Sequence, residues 1–410
     1  MFRKLAACRI CGNTELLQVL DLGKQMLTGV FPKTRDENIT SGPLRLVKCT
    51  GGSDTCGLLQ LEHSYDLGEM YGENYGYRSG LNASMVRHLH GKVKKILERI
   101  KLNKGDLVID IGSNDSTTLQ AYPENGLILI GMDPTGVKFQ KYYPPHIELI
   151  PDFFSASLLH KRLPGKKAKV VTSFSMFYDL EDPTAFMQEV HEVLDDDGIW
   201  VFEQSYMPTM LATNSYDTVC HEHLEFYALR QIKWMTDKVG LRILDVELND
   251  VNGGSFSITV AKSHGDDSVP PSVQKILDAE RDMHLDALAP YEAFAAAAAK
   301  SRADIRKFVA TARAEGKKVA ALGASTKGNV LLQYCGLGVE DIFCIGDVNV
   351  DKFGCHTPGT WIPIIAEDRL LAMKPDYLLV LPWHFRNFFL ENSKFAACTL
   401  VFPLPTLEVR

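Results

Sequence analysis

No stretch of about 18 uninterrupted apolar residues occurs in this 410-residue chain, so nothing in it reads as a membrane-spanning helix. The segment Met1 to Cys8 has no apolar run long enough for a signal peptide. Positive charge is not in excess either. Lys and Arg number 44 against 51 Asp and Glu, a formal net charge of -7, which gives no support to nucleic-acid or anionic-membrane binding driven by overall charge. A soluble cytoplasmic protein that binds neither nucleic acid nor membrane is the default reading. Three common motifs are also missing. Gly112 stands alone after its strand, so the G-x-G-x-x-G fingerprint of a dinucleotide fold is not met. Asn329-Val330 stand where a P-loop requires Lys and Ser/Thr, and His221-Glu222-His223 lacks the i, i+4 histidines of a helical zinc protease.

What is present is ample core: 45% of residues are hydrophobic and 23% charged, enough for two to four domains of about 100–200 residues and incompatible with disorder or a small disulfide scaffold. The nine cysteines are unevenly spread. Cys8, Cys11, Cys49 and Cys56 fall in the first 56 residues, and Cys220, Cys335, Cys344, Cys355 and Cys398 are scattered singly. In a reducing compartment such a cluster is more often a metal site than two disulfides. Cys8-Arg-Ile-Cys11-Gly has knuckle spacing, whereas six residues separate Cys49 from Cys56. Four thiolates close a tetrahedral Zn²⁺ site with no open position, which makes the expected metal structural.

Short apolar runs at 16–22, 44–47 and 58–61 read as strands around these cysteines, and Met85, Leu89, Val93, Ile96, Leu97 and Ile100 repeat at helical spacing. Strands at 107–112, 127–133, 168–174 and 198–203 alternate with helical stretches, which predicts a parallel sheet with helices on both faces. Segments 241–246 and 255–260 flank an Asn252-Gly-Gly254 turn and predict an antiparallel pair at the sheet edge. After a helical, alanine-bearing connector, strands at 317–323, 342–347 and 377–382 form a second α/β unit, not similar enough to the first to be called a repeat. The expected division is 1–72, 73–264, 265–316 and 317–410.

Four constellations carry chemistry. The cysteines are the first. The second is the strand-to-turn sequence from Asp110 through Gly112 to Asn114 and Asp115: its acid suits a ligand with an ammonium group better than a pyrophosphate, and Asp133, ending the next strand, can chelate two ribose hydroxyls. These residues, with Ser175 after the third strand, describe S-adenosylmethionine better than NAD. The third is Cys220-His221-Glu222-His223, two histidines flanking a glutamate beyond the fourth strand, a composition suited to proton transfer. The fourth is Gly323-Ala-Ser-Thr-Lys-Gly-Asn329, whose backbone N–H groups and Lys327 could hold a phosphate or diphosphate.

With these pieces in this order the sequence resembles the three-domain S-adenosylmethionine-dependent C-methyltransferases that act on nucleotide-linked deoxysugars. The resemblance runs over nearly the whole chain: the C-x2-C segment, Tyr-x-Tyr-x-Ser at Tyr75 to Ser79, Glu222-His223-Leu224, Asn252-Gly-Gly-Ser255, the Gly323–Asn329 element, and 347–360. It implies an α/β architecture of N-terminal zinc-binding domain, central Rossmann-like class I methyltransferase domain and C-terminal second Rossmann-like domain. It further implies methyl transfer to C3 of a dTDP-linked 4-keto-6-deoxyhexose. His223 would abstract the proton beside the ketone, Glu222 would orient sugar hydroxyls, and Tyr75 or Tyr77 would reach over the site. Ser325, Lys327, Asn329, Tyr178 and Trp383 would complete the nucleotide-sugar pocket.

Relatives often carry a tyrosine two residues before the glutamate and a histidine after the third central strand. Cys220 and Asp179 stand there instead, leaving the group that polarises the ketone unassigned, with His221 or Tyr178 as substitutes. The competing expectations are O- or N-methylation of a nucleotide sugar and a non-catalytic sugar-nucleotide-binding module. A small-molecule substrate and a monomer or weak homo-oligomer complete the expectation.

Overall fold

The computed structural model describes residues 2–52, 54–70, 78–265 and 268–410. Near the N-terminus, β1 (Phe2–Lys4) pairs with a later strand, while β2 (Leu16–Met26), β3 (Ser41–Cys49) and β4 (Leu59–Leu61) form an antiparallel meander, and β5 (His63–Tyr65) is the partner of β1. Alternation decides which face is inside: Leu20, Leu22, Leu44 and Leu46 are buried, with charged neighbours Asp21 and Arg45 between them.

The central unit contains β6 (Leu107–Ile111), β7 (Ile128–Met132), β8 (Ile147–Ile150), β9 (Ala168–Phe174) and β10 (Leu194–Ser205), all parallel. β11 (Glu225–Phe226) leaves this sheet, and β12 (Leu241–Asn249) and β13 (Ser255–Lys262) close it as an antiparallel pair. The order is β12-β13-β10-β9-β6-β7-β8. All five positions of β6 are buried, as expected for a strand covered on both faces. The order reverses between β6 and β9, and ligands bind at the carboxyl ends of strands at such a switch point.

β11 adds to β4, so the order of the N-terminal sheet is β11-β4-β3-β2 and the segment just after His223 is part of it. The 26-residue helix Ala289–Ala314 buries Tyr291, Phe294, Ala298, Ile305 and Val309 along one face. Its alanines let it lie close to its neighbours. These residues share one core with Leu20 and Leu44 of the N-terminal sheet and with Val319 and Ile345 of the C-terminal unit.

The C-terminal unit comprises β14 (Val319–Leu322), β15 (Ile345–Asp347), β16 (Ile364–Ala366), β17 (Tyr377–Val380), β18 (Leu400–Phe402) and β19 (Glu408–Val409), ordered β16-β15-β14-β17-β18-β19. All neighbours are parallel except the β18–β19 pair. Its first five strands repeat the arrangement β8-β7-β6-β9-β10. The two units thus share a topology that their sequences do not disclose, because strand order is fixed by crossovers and not by side-chain identity. Among the described residues no helix is long and apolar enough to cross a membrane.

Candidate functional site

The thiols of Cys8 and Cys56 lie 3.5 Å apart, those of Cys11 and Cys49 3.6 Å apart, and all four fall within 4.8 Å of one another. Zn–S bonds of about 2.3 Å in a tetrahedron require S···S edges of about 3.8 Å, so the donor set fits Zn²⁺. Gly12, at φ 71°, carries the chain around the first pair. The Asn13 side-chain amide donates to Cys49 Sγ at 3.4 Å, a contact that would orient the thiolate. Six residues between Cys49 and Cys56 are accommodated because both flank the hairpin closed by the Cys49 N–H to Leu58 carbonyl bond.

At the β6 switch point the backbone is bent to a purpose. Gly112, Asn114, Ser116 and Ser175 all have positive φ. Three of them are not glycine, and such conformations persist only where the surroundings over-determine them. Asp133, ending β7, accepts from the Asn114 N–H at 2.8 Å and the Thr135 N–H at 2.7 Å, which fixes its carboxylate beside the turn. Asp110 lies beneath, buried, accepting from Thr172 Oγ1 at 2.5 Å; burial pushes its carboxyl up to about 7. Asp115 accepts from the Gly80 N–H at 2.9 Å and faces Arg78 at 3.8 Å, while Asn114 Oδ1 accepts from the Ser79 N–H at 3.0 Å. The stretch 78–80 therefore crosses the turn, with the Arg78 guanidinium 4.2 Å above the Tyr142 ring. Sequence reasoning missed Arg78, which no local motif distinguishes. Tyr75 and Tyr77, just before it, lie outside the described residues.

The third cluster sits where all three parts of the chain meet. His223 packs edge-on against Tyr178, ring centroids 4.3 Å apart, and its Nδ1 lies 2.9 Å from the Thr218 carbonyl. Burial and then the Lys327 charge push its pKa down to about 4. Glu222 reaches the tip of the β2–β3 hairpin, where a methyl group on Gly29 would overlap its Oε1. Burial raises the Glu222 carboxyl, opposed by polar groups of Cys220, Thr28 and Gly29. His221 points elsewhere: its ring is fully buried and packs edge-on against Tyr65 at 4.6 Å, and burial pushes its pKa down to about 3.

From the C-terminal unit, Lys327 enters this cluster and donates to the Asn252 carbonyl at 2.7 Å. Burial lowers its pKa and the Asp217 carboxylate opposes that. Asp217 in turn accepts from the Trp383 indole N–H at 2.8 Å. His384 lies beside Gly253, and burial followed by the Lys327 charge pushes it down to about 3. Two further residues expected in the nucleotide-sugar pocket have partners within the protein. Ser325 Oγ accepts from the Gly328 N–H at 3.0 Å and caps the helix Thr326–Cys335. Asn329, fully buried, donates to the Thr28 carbonyl at 2.7 Å. The Ala324 N–H is held by Asp347 at 2.7 Å, so an acid already stands at this turn, as Asp133 does at the other.

Three family models match the chain: "Putative zinc binding domain" over residues 8–71, "Methyltransferase domain" over 85–246 and "C-methyltransferase C-terminal domain" over 250–405. The C-methyltransferase NovU of Streptomyces niveus is 32% identical over 395 residues, 96% of this chain and 93% of that protein. Among solved structures, magnesium protoporphyrin IX methyltransferase from Synechocystis PCC 6803 with bound SAM is 13% identical over 43% of this chain and 79% of that one, with a TM-score of 0.32. An S-adenosylmethionine-dependent methyltransferase from Clostridium acetobutylicum is 12% identical over 43% of this chain and 92% of that one, with a TM-score of 0.33.

Proposed function

Since the chain belongs to the family of S-adenosylmethionine-dependent C-methyltransferases, we propose that its acceptor is C3 of a dTDP-linked 4-keto-6-deoxy sugar, made nucleophilic by His223. The observation that carries this reading is the 2.9 Å contact of His223 Nδ1 with the Thr218 carbonyl. A carbonyl only accepts, so Nδ1 bears the ring proton and Nε2 keeps its lone pair. With its pKa near 4 the ring is neutral at physiological pH, the form a general base needs. His223 also keeps part of its surface open, as a substrate contact requires.

Bound S-adenosylmethionine supplies an electrophilic methyl group on a sulfonium. The Asp133 carboxylate would hold its ribose hydroxyls and the Asn114–Asp115 turn its amino-acid end, leaving the chain only alignment to provide. Glu222, wedged between the hairpin tip and the histidine, would orient sugar hydroxyls. Tyr178, Trp383 and the Ser325–Asn329 element would wall the nucleotide-sugar pocket. Because one chain contributes all three sides of the cluster, a monomer suffices for activity.

The test is solvent exchange. With a dTDP-4-keto-6-deoxy sugar in D2O, the wild-type enzyme should wash deuterium into the ring carbon beside the ketone, and His223→Ala should lose both exchange and methylation while binding S-adenosylmethionine normally. Methylation without exchange in the wild type would point to an oxygen or nitrogen acceptor. A panel of dTDP-4-keto sugars with labelled S-adenosylmethionine would identify the sugar.

A further inference from the structure

A histidine poised as His223 is a weak base, and the hydrogen beside a ketone is a weak acid. Proton transfer between them proceeds only if the oxygen that gains negative charge is stabilised as it does so. The groups around the cluster differ in their fitness for that task. Burial raises the Cys220 thiol well above its ordinary range, and the neighbouring Glu222 charge raises it further. The Tyr178 ring meets His223 edge-on. His221 is turned to Tyr65, and His384 is held neutral.

Lys327 is different. A run of contacts ties it to the histidine: its ammonium meets Asn252, Gly253 next to Asn252 lies beside His384, Trp383 next to His384 donates to Asp217, and the carbonyl of Thr218 next to Asp217 holds His223 Nδ1. The lysine charge acts on His223, His384 and Asp217 alike. One of its three N–H bonds goes to the Asn252 carbonyl, a residue at φ 55° in the turn between β12 and β13. Asp217, fixed by the Trp383 indole, opposes the lowering that burial imposes on the lysine. The ammonium is thus engaged at the Asn252 turn, while Asp347 already holds the Ala324 N–H at the start of the glycine-rich loop.

We propose that the Lys327 ammonium receives the ketone oxygen and holds its negative charge while the adjacent carbon gives its proton to His223 Nε2. In this step the C–H bond breaks, an N–H bond forms on the imidazole, and the freed electron pair becomes the enolate C=C as the carbonyl π pair moves to oxygen. The C-terminal unit supplies the electrophilic half of the enolising pair, in the place that Cys220 and Asp179 leave open. Asp217 and the Asn252 carbonyl act as positioning groups for the lysine. The inference rests on the enolate reading above.

The test omits methyl transfer. The full chain, with S-adenosylhomocysteine and a dTDP-4-keto-6-deoxy sugar, is incubated in D2O and wash-in is followed by NMR. Lys327→Met should slow exchange by about 10²–10³, with dTDP affinity and melting temperature near wild type. In the His223→Ala background, the C=O stretch of the bound ketone should lie below its solution value and return to it when Lys327→Met is added. Where Lys327→Met does not fold, Lys327→Gln keeps a donor to Asn252 and the same outcomes apply. Exchange within fivefold of wild type overturns the proposal. So does a tenfold loss of dTDP affinity with exchange at saturation unchanged, which would make Lys327 a diphosphate ligand. If the wild-type enzyme itself shows no exchange, the enolate reading has failed, whatever Lys327 does.

Discussion

His223 and Thr218 are joined by a 2.9 Å bond from Nδ1 to a backbone carbonyl five residues upstream, so the same short loop that carries the histidine also sets its tautomer. The consequence for pH is direct. With its pKa lowered to about 4 by burial and by Lys327, the ring remains an acceptor at Nε2 far below the usual histidine range. Deuterium wash-in should therefore stay flat from about pH 8 to about pH 5 and fall only below that, where a surface histidine would already have cut the rate near pH 6.5. A pH–rate profile of the SAM-free exchange reads this. An acid limb centred at pH 6.5 would mean that His223 is not in the buried environment described.

Three histidines with lowered pKa values also shape stability. His221, His223 and His384 have folded pKa values lowered to about 3, 4 and 3. Their contribution is intact above the unfolded value near 6.5 and is lost as pH falls toward the folded values, because the unfolded chain takes up protons first; each adds up to about 1.4 kcal/mol per pH unit. Asp110, raised to about 7, acts in the opposite sense: its contribution is present at acid pH and lost as pH rises through its folded value. The histidine part can be isolated. His221→Phe keeps the edge-on contact with Tyr65 and removes ring nitrogens that have no well-formed hydrogen bond. It should recover about 2 kcal/mol of stability at pH 5 relative to neutral pH, measured by urea unfolding at both.

Gly29 offers a steric test of the junction. Its φ lies outside the left-handed region, so alanine brings no backbone strain, yet a Cβ would overlap Glu222 Oε1 and come within 3.7 Å of Thr326 Oγ1. Gly29→Ala should push the hairpin tip off the carboxylate. We expect a tenfold or greater loss of kcat/KM for the sugar with S-adenosylmethionine affinity unchanged, and a small change in melting temperature, since the displaced groups lie at a loop. Wild-type kinetics in this variant would show that Glu222 does not depend on the hairpin.

How much of this was legible beforehand follows from range along the chain. The first cofactor turn is local, and Asp110, Gly112, Asn114 and Asp115 could be read from one strand and the turn after it. The strand Ile147–Ile150 could not, being four residues long with Glu148 inside it, too short for a periodic signal. The junction was half visible. Glu222-His223 stood out by composition, but the contact of Asp217 with Trp383 spans 166 residues and that of Lys327 with Asn252 spans 75. Sequence places Lys327 with its own glycine-rich loop, as a group that could hold a phosphate; its bond to Asn252 depends on the direction of the side chain, which sequence does not show. Ser325 and Asn329 are expected in the nucleotide-sugar pocket; Ser325 also caps a helix and Asn329 ties the hairpin down, contacts that sequence does not show.

The four-cysteine site and His223 are linked through backbone. β4 begins three residues after Cys56, and it pairs with β11, which begins two residues after His223. The Leu61 N–H donates to the Leu224 carbonyl at 2.8 Å, next in sequence to the histidine. Structural Zn²⁺ contributes about 10–16 kcal/mol of apparent binding free energy in zinc-finger peptides, so loss of the metal is expected to loosen that register. Cys56→Ser, or treatment with a strong chelator, should therefore release one zinc per chain by elemental analysis, lower the melting temperature, and slow wash-in by at least tenfold. Affinity for S-adenosylmethionine should change by no more than about threefold, because Asp133 and the Asn114 turn are held by the central sheet. If zinc leaves and exchange continues at the wild-type rate, the N-terminal unit does not position His223, and the pairing of β4 with β11 serves only to dock it.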